Sequence, residues 1–109
     1  MLDKNVSELL NTQINKEFYS AYLYLDFANY YKDQGLDGFA NWYNVQAQEE
    51  RDHAMLFIQY LQNNSEKISL ESIDKPDKVF DAFDQPLHAS LEHERYVTSL
   101  IHNIYDAAY

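Results

Sequence analysis

The chain has 109 residues, 46% of them hydrophobic and 24% charged, with 18 Asp and Glu against 8 Lys and Arg. A net charge of −10 speaks against nucleic acid or an anionic membrane as partner, and the lack of cysteine excludes a disulfide framework or a thiolate metal site. With no run apolar enough to span a bilayer and no signal-peptide pattern at the start, one soluble, cytoplasmic domain over 1–109 is expected.

Only two glycines and two prolines interrupt the chain, which favours long helices over strands and turns. The first helix is expected over about 6–34. Its seam is Leu10, Ile14, Glu17, Ala21, Tyr24, Ala28 and Tyr31, with steps of four and three. Gly35, Leu36, Asp37 and Gly38 then supply a glycine stop and an Asp able to cap the next helix. The second helix is expected over 38–64, with the seam Phe39, Tyr43, Gln46, Glu50, His53, Phe57, Tyr60 and Asn64. The short turn makes the two helices antiparallel neighbours.

Residues 65–85 carry Ser65, Ser69, Ser72 and Pro76 and hold no long helical pattern. A connection this long fits a crossover along a bundle, with Ile68, Leu70, Ile73, Val79 and Phe80 expected to pack on the bundle surface. The third helix is expected over 86–109, opened by Pro86, with the seam Leu87, Leu91, Glu94, Thr98, Ile101, Tyr105 and Ala108. Tyr109 follows without a capping pattern, so this helix reads as cut rather than finished.

The strongest chemical signal is Glu50-Arg51-Asp52-His53. An E-x-x-H spacing puts a carboxylate and an imidazole on one helix face, a donor pair suited to iron, manganese or zinc. The charged residues on the three seams are Glu17, Glu50 and Glu94. Carboxylates facing a core without Lys or Arg repel one another, and a bound cation resolves the conflict. Glu17 lies 17 residues before Gln34 and His53 lies 15 after Gly38. At about 1.5 Å per residue the two share one height to within ~3 Å.

Plainer readings stand beside these. Glu17 and Glu94 could be seam-edge residues reaching solvent, and Tyr24 is one of ten tyrosines and could be core packing. Glu49 reads as a solvated acid, and His88, His93 and His102 read as surface histidines off the seam. Met55 has no supporting pattern as a haem ligand, so no haem is expected.

The run NTQINKEFYSAYLYL (11–25) resembles the first helix of bacterial non-haem ferritins. The run GLDGFANW (35–42) is similar to their first turn, QAQEERDHA (46–54) to their second-helix metal motif, and LEHE (91–94) to their third helix. The resemblance implies an all-α, ferritin-like up-down bundle, of which this chain carries helices one, two and most of three. It implies that Glu17 and His53 bind one iron, Glu50 bridges two, Glu94 holds the second, Tyr24 lies beside the centre and Glu49 serves an accessory site. It further implies oxidation of Fe(II) by dioxygen or peroxide, two irons per site, and storage as ferric mineral in a 24-subunit shell. The family's fourth helix, which brings further ligands, has no counterpart in this sequence. The alternative is a truncated, non-catalytic fragment that dimerises or assembles with weak metal binding. A rubrerythrin-like or bacterioferritin-like enzyme would need a second E-x-x-H, and the chain has one.

Overall fold

The computed structural model describes residues 3–77 and 79–108. The side chain of Ala108, residue Tyr109 and the first two residues, on which some of the expectations above fall, lie outside that description. Three helices follow in order, α1 (Lys4–Asp33), α2 (Asp37–Asn63) and α3 (Gln85–Ala108). The described residues form a rod of 49 × 21 × 21 Å, and no helix is long and apolar enough to cross a membrane.

Local chemistry sets the helix ends. Asp3 caps α1 by accepting a hydrogen bond from the Asn5 amide at 2.8 Å. After α1, Gly35 takes φ +72° while its amide and that of Leu36 bond back to Lys32 and Tyr31. This left-handed position favours glycine. Asp37 does not cap α2, as the sequence led us to expect; α2 begins at Asp37 itself and Leu36 holds the cap position without a side-chain bond. Asp37 instead pairs with Lys32 at 3.0 Å and sits in the first turn, where its charge complements the helix dipole.

α1 is the central element, and α2 and α3 flank it. At one end Tyr31 stacks on Phe39 and Tyr43, within a cluster that holds Leu23, Tyr24, Phe27, Ala28, Ala47 and Ala89. At the other end Val6, Leu10 and Ile14 meet Ala54 and Leu61, with Ile104 and Ala107 packed alongside. Both α2 and α3 therefore run antiparallel to α1.

The expected α1 seam is buried except for the half-buried Ala21. On α2 the buried face is Ala40, Tyr43, Ala47, Glu50, Ala54 and Leu61, with Phe57 half-buried. Tyr43, Glu50 and Phe57 agree with the expected seam, but Phe39, His53 and Tyr60 are exposed. Alanines at 40, 47 and 54 occupy the alternate positions, because small side chains let two helix backbones approach closely. On α3 the expected seam is displaced by one residue. Pro86, Ala89, His93, Val97, Leu100, Ile104 and Ala107 face inward, while Leu91, Glu94, Thr98, Ile101 and Tyr105 are exposed.

The crossover is irregular and extended, and α1 satisfies its backbone through two asparagines one turn apart. Asn11 accepts from the Ser69 amide at 2.8 Å and donates to the Lys67 carbonyl at 3.0 Å. Asn15 accepts from the Glu71 amide and donates to the Ser69 carbonyl, both at 2.8 Å. Each side-chain amide thus stands in for a neighbouring strand, pairing backbone groups that would otherwise rely on water. Of the apolar crossover residues, Ile68 and Phe80 pack on the two clusters. Leu70, Ile73 and Val79 are exposed, contrary to expectation.

Candidate metal centre

Glu17 on α1 and Glu50 on α2 face each other inside the helix pair, 1% and 5% exposed. Both lie on the face that buries their helix, three residues after the buried Ile14 and Ala47 respectively. His53, one turn beyond Glu50, is exposed but turns its ring back toward them. Its Nδ1 lies 3.6 Å from Glu50 Oε2 and 3.8 Å from Glu17 Oε2.

One donor atom from each of the three lies within 4.8 Å of the others. Oxygen and nitrogen ligands about 2.0–2.2 Å from a metal stand roughly 3–3.5 Å apart, so small side-chain movements would close the set. Glu17 Oε2 and Glu50 Oε2 are buried with no hydrogen-bond partner. Gln13, also buried, donates to the other oxygen of Glu17 at 2.8 Å. Burial first, then the adjacent Glu17 carboxyl, pushes the Glu50 carboxyl up to about 9.

Glu94 does not join this group of three. It is exposed on α3 and accepts the hydroxyl of Tyr24, which is 1% exposed. Burial and this bond keep the Tyr24 phenol protonated, its pKa raised above the ordinary value. Glu94 still acts on Glu50 through space, as does Glu49 on the exposed side of α2. Beside Tyr24 and Glu94 lies a cleft of about 210 Å³, also lined by Trp42, Gln46, Ser90 and Leu91.

Several of these neighbours were not legible in the sequence. His93, expected at the surface, is half-buried; its Nε2 lies 2.6 Å from the hydroxyl of buried Ser20 and its ring meets Tyr24 edge-on at 5.9 Å. Tyr43 reaches across to the Ser90 hydroxyl at 2.8 Å and ties α2 to α3. The signal for Gln13 was present, since Gln four residues before a buried Glu shares its helix face.

A ferritin-like domain model matches residues 7–109. The chain is 36% identical over 104 residues to the bacterial non-heme ferritin of Campylobacter jejuni, covering 95% of this chain and 62% of that protein. It is 35% identical over 108 residues to the Staphylococcus epidermidis protein of the same name, covering 99% of this chain and 65% of that one. It also superimposes on the open-pore ferritin of Archaeoglobus fulgidus with a TM-score of 0.95 at 38% identity, covering 99% of this chain and 67% of that one. A humanized archaeal ferritin gives a TM-score of 0.95 at 41% identity, over 99% and 66% of the two chains. The chain thus spans somewhat less than two thirds of the curated relatives it matches. The fold is an all-α, ferritin-like bundle, and the chain belongs to the ferritin family.

Proposed function

We propose that this chain provides one side of a two-iron carboxylate centre in a cytoplasmic iron-storage protein. Fe(II) is the substrate, and dioxygen or peroxide oxidises it before the ferric product passes to storage. Glu17 and His53 hold one iron, Glu50 bridges to a second, and Glu94 approaches that second iron from α3. Tyr24, hydrogen-bonded to Glu94, borders the centre, and Glu49 serves an accessory position. The relatives' additional length is where the remaining ligands and the surfaces of a multi-subunit shell would lie.

The observation that carries this reading is the pair of buried, unpartnered carboxylate oxygens facing one imidazole. Two acids held together without Lys or Arg cost free energy that a cation between them recovers. The protein's part is to fix donor number and geometry, while the metal supplies redox chemistry.

The test is anaerobic loading with Fe(II) followed by rapid mixing with air-saturated buffer, read by the absorbance of the ferric product. Acceleration over free Fe(II) is expected for the wild type and is lost in Glu50→Ala and His53→Ala. Equal rates in all three proteins would rule the reading out.

A second reading, assembly without turnover, is favoured by the exposed apolar stripes. Leu91, Ile101 and Tyr105 on α3 and Trp42, Leu56 and Tyr60 on α2 are all more than 40% exposed. Light scattering separates the two: small oligomers inert toward Fe(II) favour this second reading.

A further inference from the structure

Gln13 is a long polar side chain, 1% exposed, on the apolar face of α1 between Leu10 and Ile14. Its Nε2 donates to Glu17 Oε1 at 2.8 Å, one helical turn away. We propose that Gln13 is a positioning residue for the cation site, a neutral donor that aims Glu17 without discharging it. The inference rests on the metal-binding reading above and names a residue that reading does not use.

Three observations support it. The terminal torsion of a glutamate is soft, so an unanchored carboxylate samples many orientations. With Oε1 held by Gln13, the other oxygen, Oε2, is the one left unpartnered, 3.8 Å from His53 Nδ1. Gln13 therefore divides the carboxylate into one anchored and one available oxygen. Next, the donor is an amide and not an ammonium. A lysine here would pair with Glu17 and supply the positive charge that the site otherwise takes from a cation. Finally, among the described residues no Lys or Arg does so. Lys16 is turned away over the Tyr96 ring, 5.8 Å from its centroid. Among the described residues, the ion pairs of Glu17 and Glu50 run to His53 alone.

The experiment titrates the full chain with Co(II) alone, which does not form mineral, using calorimetry for affinity and the visible ligand-field bands for coordination. Three variants are compared with the wild type: Gln13→Leu, Gln13→Lys and the packing control Ile14→Val, each checked for helicity by circular dichroism. Loss of a group that orients a metal ligand weakens metal affinity by about 10- to 100-fold. We expect that loss, with altered Co(II) bands, in Gln13→Leu. Gln13→Lys is expected to lose at least as much while its metal-free form melts higher than the wild type. Ile14→Val should melt lower yet keep the wild-type affinity and spectrum. Wild-type affinity and bands in both Gln13 variants would overturn the proposal, as would a loss in Ile14→Val equal to that in Gln13→Leu. Failure of the wild type to bind Co(II) would instead remove the metal reading itself, and this inference with it.

Discussion

Replacing Glu50 with methionine should stabilise the metal-free chain and abolish its response to cations. Glu50 is 5% exposed, its Oε2 has no partner, and Glu17 Oε2 beside it has none either. A buried acceptor left unpaired costs about 1–3 kcal/mol. Exchange of buried ionisable groups for apolar ones of similar volume is neutral to stabilising by about 1–4 kcal/mol. A gain of roughly 1–2 kcal/mol is therefore expected for Glu50→Met at neutral pH, which raises the melting temperature by about 4 °C or more in a chain of this size. The cation reverses the order. A ligand at a hundred times its dissociation constant stabilises the wild type by about 2.7 kcal/mol, whereas the variant lacks the Glu50 carboxylate. Far-UV circular dichroism melts in chelator and in Zn(II) read both effects. A variant that melts below the wild type in chelator would refute the cost assigned to the paired carboxylates. An equal Zn(II)-induced rise in both proteins would refute the site.

Two further predictions follow from particular contacts. Because the Glu50 carboxyl is raised to about 9 from an ordinary 4.5, the metal-free native chain keeps a proton that the unfolded chain releases above pH 4.5. Its contribution to stability is fully present below pH 4.5 and is lost as pH rises toward about 9, so urea midpoints should fall across that window, and the fall should flatten in Glu50→Met. Asn11→Ala and Asn15→Ala each remove two bonds to the crossover. Each should cost about 1–2 kcal/mol and speed hydrogen exchange at the Ser69 and Glu71 amides; unchanged protection there would show that the ladder does not hold the crossover.

The three helices were legible because few breakers interrupt their periodic patterns, and the glycine turn fixed the hairpin. The grouping of Glu17, Glu50 and His53 was legible for a different reason. An E-x-x-H pair fixes a direction on α2, and residue counts from the turn bring Glu17 to the same height. What failed was rotation about the helix axis. Large side chains marked the expected seam of α2, whereas alanines at 40, 47 and 54 occupy half of the true one. Apolar size is a poor guide where close approach is what the packing needs. The asparagine ladder was illegible because its partners lie 54 to 58 residues away and are backbone groups without a sequence signature. His93 was missed because its partner, Ser20, is equally ordinary in sequence.

The displaced reading of α3 carries physical information of its own. This helix has two neighbouring stripes: one, with Ala89, His93 and Val97, rests on α1, while the other, with Leu91, Ile101 and Tyr105, meets solvent. Glu94 belongs to the solvent-facing stripe, yet Tyr24 reaches it from the buried core of α1. On α2 the same division recurs, with Glu50 inside and His53 at the edge. The candidate centre therefore straddles the boundary between the packed and open faces of the bundle. Its buried half holds the Glu17 carboxylate, anchored by the Gln13 amide, beside the unpartnered Oε2 of Glu50. Its open edge holds the exposed His53, while Glu94, exposed on α3, accepts the Tyr24 hydroxyl. A site wholly inside would have to desolvate an entering cation in one step, and a site wholly outside would lose its electrostatic attraction to water screening. On the proposed reading, this division would give a cation a graded path from solvent to the unpartnered oxygens of Glu17 and Glu50.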